Sequence, residues 1–477
     1  MTRRSFAALA GAAAATIRLE AAAVPLSPTM ARLSAYMTEA GTGPLPPEAL
    51  ESTKQHILDT LAAMVSGAEL APGRFAINFA RAHSAEKTAT VAASDVVCGA
   101  IEAAFSNAML AHSDETDDSH APSESHPGAS VVPSALAAGE QFNIDGSRFL
   151  RAVALGYDVG TRVTMTVGVG GFQTATHIST HALAGTFGSA AAAGSAASLN
   201  QQQMRWLIDY ASQQASGIKT WQRDTDHIEK AFLFAGMPAR NGITAALLVA
   251  AGATGVDDVL SGPDNFLLDY APQADPAKLI EKLGERYEIS RTNIKKWTVG
   301  SPIQAPLDAF ESILKRRPVE PDQVQSITVR VATSEASIVS NREMPDICMQ
   351  HMIAVMLLDK TASFKAAHDK PRMQDAAVLK QRAKVQLTPD AELERQLPAR
   401  VAIVEVTLVD GTRLTETVKA VRGTAQNPMS REEVISKCRD LMTPVLGAER
   451  CSKLIDTALN LERLKSVREL RPLLQRT

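Results

Sequence analysis

The sequence predicts a mostly α-helical protein, in which a large helical domain is interrupted by a smaller α+β domain. The chain has 477 residues, more than one hydrophobic core usually organises, so two domains are expected. Hydrophobic residues make up 45% of the chain but aromatic residues only 4%. A core of Ala, Leu and Val suits closely packed helices better than strands. After Pro276 the apolar pattern changes toward that of strands.

Residues 1–23 are predicted to be an export signal that is removed. The pair Arg3-Arg4 precedes an apolar run from Ala7 to Ile17 and then the small residues Ala21 to Ala23, which is the layout of a bacterial Tat signal. The run is too short to span a bilayer as a helix. We therefore expect a periplasmic protein. The alternative is a cytoplasmic protein with an Ala-rich amphipathic start, because charged residues follow the run. No other segment is expected to be long and apolar enough to cross a membrane.

Residues 24–275 are predicted to form the first part of the helical domain. Pro46-Pro47 can open a helix, and apolar residues then recur at helical spacing as far as Gly67. From Ala182 to Leu199, glycines stand among alanines, which predicts a helix that neighbouring backbones approach closely. The run Gly168 to Gly171 lacks the third glycine and the βαβ frame of a dinucleotide site.

Residues 276–426 are predicted to form the α+β domain. Val324 to Val331 alternates as a strand does. Val401 to Val409 and Leu414 to Val418 read as a hairpin, and the intervening Asp410-Gly411 suits a type I′ turn. These patterns place the sheet within the second half of the chain.

Residues 427–477 are predicted to return to the helical domain. Ser430 and Glu433 have the spacing of a capping box, and apolar residues at helical spacing follow them.

Charge and cysteine content exclude several classes of function. The net charge of −3 provides no basic field for nucleic acid, and no Lys/Arg cluster is interleaved with aromatic residues. The cysteines are scattered without a C-x-x-C pair, which indicates neither a zinc site nor a disulfide scaffold. Two of them could pair in an oxidising compartment, Cys438 and Cys451.

The segment from His112 to Gly128 is the strongest candidate for chemistry. It contains three histidines among five acidic residues, and five of the ten histidines of the chain lie between His112 and His181. Crowding of ionisable side chains costs free energy through desolvation and like-charge repulsion. We therefore expect these residues to take part in chemistry. A solvated loop joining two helices is the alternative, but Ala-rich helical sequences on both sides would hold this loop rigidly.

These segments together resemble the MmgE/PrpD family, from about Leu50 to the C-terminal helix. The resemblance implies a helical domain with a smaller α+β lid, usually a homodimer, and an active site in the cleft between the domains. Known members act on small di- and tricarboxylates without metal or organic cofactor, as 2-methylcitrate dehydratases, cis-aconitate decarboxylases and iminodisuccinate epimerases. The residues that carry the resemblance are Asp117-Asp118-Ser119, His126-Pro127-Gly128, Gly156-Tyr157-Asp158, Gly185 to Ala192, Gln214 to Gly242, Lys295 to Asp308 and Ile347 to Asp359.

All three reactions move a proton to or from a carbon next to a carboxylate, where negative charge then builds. Cations and hydrogen-bond donors must stabilise that charge. A positioned acid or base must also move the proton, which typically contributes ~10²–10⁴-fold. We therefore expect a lyase that acts on a small carboxylate substrate, with no nucleic acid partner and no membrane association after signal removal.

The resemblance implies four catalytic residues. His126 is the expected proton-transferring group, with Asp117 beside it in the same motif. Lys230 is the counterpart of a family lysine that meets a substrate carboxylate. His177 follows Gly-Phe, where many members have a histidine, and His181 is the alternative.

The resemblance also implies substrate-binding residues. Gln304 stands where many members have a histidine, and His351 stands where a tyrosine is common. Glutamine cannot exchange a proton near neutral pH whereas histidine can, so we expect proton duties to be redistributed in this chain. The other expected binding residues are Glu115, Ser119, Arg240 and Lys295.

The residues also leave other functions open. A metal-dependent enzyme could use His112, His120 and His126 with nearby carboxylates, but no recognised ligand spacing such as H-E-x-x-H is present, so no metal is predicted. An epimerase of an iminodicarboxylate is a second alternative. A third is a non-catalytic periplasmic carboxylate-binding protein, which would not need His126.

Overall fold

The computed structural model describes residues 25–476, so the predicted signal lies outside the described residues. The described part of the chain is mostly α-helical, with a small sheet region in its second half, as predicted. Its helical part begins with these helices: Pro28–Glu39, Pro47–Gly67, Ala71–Ala82, Ala100–Ala111, Pro127–Phe142, Gly146–Val167, Val169–Thr176, Thr180–Ala196, Gln201–Gln213, Ile228–Ala231, Met237–Ala250, Phe266–Tyr270 and Ala277–Ile280. Ala89–Thr90 and Val97–Cys98 form a short antiparallel pair.

The glycine-rich helix Thr180–Ala196 confirms the predicted close packing. It crosses Gly146–Val167, and a Cβ on Gly188 would lie 2.7 Å from the Gly156 carbonyl oxygen. A Cβ on Gly160 would lie 2.2 Å from the Ala184 carbonyl oxygen. The two backbones touch because neither helix presents a side chain at the crossing.

A four-stranded sheet forms the second core. The strands lie in the order Val385–Asp390, Val324–Ala332, Ala402–Leu408 and Arg413–Val418, with the first pair parallel and the other pairs antiparallel. The helices of this part are Ser301–Arg316, Thr333–Val339, Met349–Asp359, Phe364–His368, Ala376–Arg382 and Ala391–Glu394.

Two details of the sheet differ from the sequence interpretation. The strand Val385–Asp390 was missed because it lies at an edge, contains Pro389 and shows no regular alternation of burial. The hairpin turn is not type I′, since Gly411 has a positive φ of 83° but Asp410 does not. A hydrogen bond from the Gly411 amide to the Leu408 carbonyl, at 2.9 Å, instead fits a type I turn followed by a left-handed glycine.

The C-terminal helices return to the helical core, as predicted. The helices are Arg431–Leu446, Ala448–Leu459 and Arg471–Leu474. Ser430 and Glu433 form the predicted capping box, and the Ser430 amide donates to the Glu433 carboxylate at 2.7 Å. Leu441 and Leu454 belong to the same hydrophobic cluster as Leu58, so the tail completes that core. The residue numbers of the domain boundaries stay predictions. Every cysteine is a buried free thiol.

One stretch within residues 25–476, Ile228–Ala250, is long and apolar enough to cross a membrane by length and composition. The expectation that no such segment follows the signal is therefore wrong on this criterion. The most apolar window of the stretch is 72% buried, because its second half packs against Thr180–Ala196. Its composition fits a central core helix.

Candidate active site

The histidine-rich segment is a buried loop between two helices. It leaves Ala100–Ala111 and enters Pro127–Phe142, and its residues from His112 to Asp118 are all buried. Ser119 and Asn293 exchange backbone hydrogen bonds of 3.0 and 2.8 Å, which fix the loop to the start of the second part of the chain. The alternative of a solvated linker is therefore wrong.

Two histidines share one carboxylate in this loop. Nδ1 of His112 lies 3.0 Å from Oδ2 of Asp117, and Nδ1 of His126 lies 3.2 Å from both oxygens of Asp117. A carboxylate can only accept, so each imidazole donates from Nδ1 and, when neutral, keeps a lone pair on Nε2. Asp117 thereby fixes the tautomer of His126 as the aspartate of a catalytic triad does.

The protonation of these groups suits base catalysis. Burial alone would raise the pKa of Asp117, but His112, His126 and Lys295 outweigh it and hold the pKa well below its usual range. Burial lowers the pKa of His126, although Asp117 opposes that shift. His126 is therefore a neutral base at neutral pH, with an ionised carboxylate behind it.

Two lysines surround Glu115 beside this pair. Nζ of Lys230 contacts Oε1 of Glu115 and lies 5.4 Å from the Trp221 ring centroid and 5.1 Å from that of Phe234. Nζ of Lys295 donates to the Glu115 carbonyl at 2.8 Å and lies 3.5 Å from Oε2. Burial opposes ionisation of Glu115, but the lysines hold its pKa well below the usual range. The site thus keeps two cations next to a neutral base.

Two further histidines complete the cluster. The His181 ring stacks on Phe234 with centroids 3.8 Å apart and lies 5.3 Å from the His126 ring. Nε2 of His227 lies 3.6 Å from Oε1 of Glu115. Burial, then Lys230, lowers the pKa of His227 to about 3. His227 lies in the Gln214 to Gly242 segment that carries the family resemblance, but no local pattern distinguished it as a site residue.

The structure brings His181 to the cluster and leaves His177 outside it. His177 is exposed at the left-handed end of helix Val169–Thr176, with a φ of 59°. Within the described residues its side chain makes no hydrogen bond and no ring contact. The expectation for His177 is corrected in favour of His181, because His177 ends one helix at an exposed position whereas His181 lies in the first turn of helix Thr180–Ala196, against Phe234.

Asp118, part of the Asp117-Asp118-Ser119 motif, has a structural role. It accepts hydrogen bonds from the Gly128 amide at 3.0 Å, from Nδ1 of His56 at 2.8 Å and from the Tyr157 hydroxyl. It thus holds the start of helix Pro127–Phe142, next to His126.

Four expected binding residues do not reach the cluster. Arg240 is exposed, and its guanidinium contacts Asn241 at 3.3 to 3.4 Å. Ser119 contributes only its backbone bridge. The Gln304 side-chain amide forms hydrogen bonds with backbone groups of residues 297–299, at donor–acceptor distances of 2.7 to 3.1 Å. His351 is buried in the α+β part, where burial lowers its pKa to about 4. In the described residues, none of the four side chains contacts His126, Glu115 or Lys230.

An ion pair that the sequence did not indicate joins the two parts of the chain. Nε2 of His368 lies 2.8 Å from Oδ2 of Asp114. Burial disfavours the imidazolium, but Asp114 and Asp346 outweigh it and raise the pKa of His368 to about 9. The α+β part is thereby attached to the histidine-rich loop by a charged contact.

This ion pair should make stability depend on pH. The pKa of His368 is about 9 in the folded protein and ~6.5 when unfolded, so its contribution is complete below ~6.5 and is lost as the pH rises through about 9. We expect the unfolding free energy of His368→Asn in urea to differ most from wild type below pH ~6.5, with the gap closing by pH ~10. His83→Asn, which alters an exposed histidine, is the control. A gap independent of pH would contradict this assignment.

The cluster also brings together groups that could hold a metal ion. One set is His112, Asp117 and His126, and another is His112, Glu115 and His227, with ligand atoms within 4.8 Å of one another. The ammonium groups of Lys230 and Lys295 already compensate the carboxylates of Asp117 and Glu115, and they would repel a metal cation. The arrangement therefore fits hydrogen bonding and proton transfer better than metal binding.

Removal of metal is accordingly expected to leave activity unchanged. The protein is dialysed against a strong chelator, its metal content is measured, and turnover is compared before and after. One tightly held transition ion per chain, with activity lost on removal and regained on its return, would favour the metal-dependent alternative.

Comparison with known proteins finds two family profiles along the chain. The MmgE/PrpD N-terminal domain matches residues 31–278 and the MmgE/PrpD C-terminal domain matches residues 297–463. A cis-aconitate decarboxylase of Homo sapiens is 25% identical over 91% of this chain and 92% of that protein. A cis-aconitate decarboxylase-like protein of Aspergillus oryzae is 22% identical over 92% and 96%. A 2-methylcitrate dehydratase-like protein of the same organism is 22% identical over 54% and 55%.

Proposed function

Because this chain belongs to the MmgE/PrpD family, we propose that it dehydrates or decarboxylates a small di- or tricarboxylate. It is an enzyme of the lyase type. One observation carries the finer proposal: a neutral His126, oriented by the Asp117 carboxylate, stands next to Lys230 and Lys295 in a buried site. That arrangement supplies a base for the proton and cations for the charge that develops.

Each group has a distinct part in the proposed reaction. The Nε2 lone pair of His126 takes the proton from the carbon next to a carboxylate, and Asp117 stabilises the imidazolium that forms. Lys230 and Lys295 stabilise the negative charge on the substrate carboxylate oxygens. Lys230 contacts Glu115, so a substrate carboxylate would compete with Glu115 for this ammonium. The proposed steps use only side chains and need no organic cofactor.

Incubation with a panel of acids in deuterated water tests this proposal. The panel contains citrate, 2-methylcitrate, cis-aconitate and iminodisuccinate-type acids, and products are followed by NMR and mass spectrometry. Loss of water or carbon dioxide supports the lyase. Inversion at carbon without either loss would favour the epimerase alternative. Binding without deuterium incorporation or product would favour a carboxylate-binding protein.

Export to the periplasm is also proposed, from the Arg3-Arg4 pair, the apolar run and the alanine site. We expect the mature protein to begin near Val24. N-terminal sequencing of protein from fractionated cells measures this, and an Arg3→Lys, Arg4→Lys double variant should remain in the cytoplasm. Finding intact residues 1–23 on wild-type protein in the cytoplasm would refute it. The homodimer implied by the resemblance stays a prediction.

A further inference from the structure

His112 occupies a position equivalent to that of His126. Both imidazoles contact Asp117 through Nδ1, at 3.0 and 3.2 Å, and their ring centroids are 5.1 Å apart. The His112 ring lies flat against Phe234, with an interplanar angle of 16° and a centroid distance of 4.8 Å. Packing therefore fixes the plane of this ring, and Asp117 fixes its tautomer.

The other ring nitrogen of His112 has no partner. Its Nε2 is fully buried and makes no hydrogen bond to any described residue. Buried polar atoms are nearly always paired, and an unpaired one calls for an explanation such as strain, a catalytic role or a bound group. A purely structural histidine would need only the Asp117 contact and the stacking. The free Nε2 points to a group that arrives with the substrate.

We propose that His112 is a second proton-transferring residue that works with His126 on the same substrate. This inference rests on the proposed function and deepens it. His126 exchanges the proton of the carbon, and His112 exchanges a proton at a second position, either the leaving hydroxyl or the opposite face of the carbon.

The proton balance of a dehydration closes with these two residues. His126 begins neutral and takes the carbon-bound proton on Nε2, and the C–H electron pair forms the carbon–carbon double bond. The carbon–oxygen bond breaks, and the proton on Nε2 of His112 passes to the departing hydroxyl, which leaves as water. His126 ends as imidazolium and His112 as neutral imidazole. Proton exchange with solvent restores the starting state, and no oxidant or reductant is needed.

The charges around His112 and His126 favour one extra proton on the two rings together rather than one extra proton on each ring. Only the Asp117 carboxylate contacts both rings, and Lys295 lies 3.7 Å from its Oδ1. Glu115, Lys230 and His227 also face His112, so the carboxylates of the site are already balanced by ammonium groups. Two imidazolium ions on one carboxylate would repel each other. The pair therefore enters the reaction as one acid and one base.

The two histidines should fail differently when replaced. We expect His112→Gln to lower the rate of net dehydration, or of an epimerisation that uses both faces of the carbon, by ~10²-fold or more. It should still exchange the carbon-bound proton of the substrate with deuterium, because His126 and Asp117 remain. His126→Gln should lose both net reaction and exchange. The alkaline limb of the kcat pH profile, where the general acid loses its proton, should change in His112→Gln. Full turnover in His112→Gln would overturn the proposal, as would equal loss of turnover and exchange in a folded protein.

A measurement on wild-type protein keeps the proposal testable if His112→Gln fails to fold. Histidine-selective ¹⁵N NMR reports the tautomer of each ring, and His126→Gln assigns one of the two signals. His126 should carry its proton on Nδ1 and keep a lone pair on Nε2, whereas His112 should carry protons on both ring nitrogens, the one on Nε2 being exchangeable. A neutral His112 ring at the pH of maximal turnover overturns the proposal. If wild type neither converts nor exchanges any acid of the panel, the proposed function fails, and the tautomer result still decides for or against His112.

Discussion

Replacing His126 with alanine is expected to lower turnover by ~10²-fold or more while substrate affinity changes little. The imidazole moves a proton only during the chemical step, so its loss raises the activation barrier more than the binding free energy. The measurement is kcat and KM on the substrate found in the panel, together with deuterium exchange at carbon. Exchange should be present in wild type and absent in His126→Ala.

Two comparison variants make this result specific. Lys230→Ala should weaken both binding and turnover, since its ammonium gives a charge-assisted contact of ~1.5–3 kcal/mol in the ground state and more as charge builds. His177→Ala should behave as wild type, because His177 is exposed and outside the cluster. Full turnover and exchange in His126→Ala would show that another residue moves the proton, and the nearest candidate is His112, whose ring centroid lies 5.1 Å from that of His126.

The largest effect on stability is expected for Lys437→Met. Nζ of Lys437 lies 2.6 Å from Oδ1 of Asp59 and donates to the Thr116 carbonyl at 3.0 Å. Both charged side chains are buried. Removing one partner leaves the other uncompensated, which typically costs ~3–5 kcal/mol of unfolding free energy. Burial raises the pKa of Asp59 even with Lys437 beside it. Lys437→Met should therefore also favour the protonated form of Asp59.

Urea unfolding of matched variants measures this effect. Lys453→Met removes an exposed lysine that pairs at 2.7 Å with Glu449, one turn earlier in the same helix, and should leave the unfolding free energy unchanged within error. The double variant Asp59→Leu, Lys437→Met should recover part of the loss, because it removes both buried charges. An unfolding free energy of Lys437→Met within ~1 kcal/mol of wild type would refute the assigned role of the pair.

Turnover should fall in Lys437→Met as well. The lysine ties the returning C-terminal helix to Thr116, which lies between Glu115 and Asp117 in the buried loop. The tail therefore supports the geometry of the candidate site as well as the core.

Features that depend on neighbouring residues could be predicted from the sequence. The helix Pro47–Gly67, the capping box at Ser430 and the hairpin strands follow from spacing, turn chemistry and side-chain period. His126 and Asp117 belong to one short loop, so their separation of nine residues along the chain is enough to predict that they lie close together. The edge strand Val385–Asp390 was not predicted, because it becomes a strand by pairing with a distant strand and not through its own sequence pattern.

Contacts between distant residues were decided only by the tertiary structure. The sequence did not determine which histidine after Gly-Phe enters the site, nor that Asp114 pairs with His368. It also did not show that the Gln304 amide is used by backbone groups. Helix periods, caps and turns are fixed by interactions within a few residues, whereas a site made from two parts of the chain depends on how those parts pack. The sequence therefore determined the helical architecture and the chemical groups available, and the packing decided which of them meet.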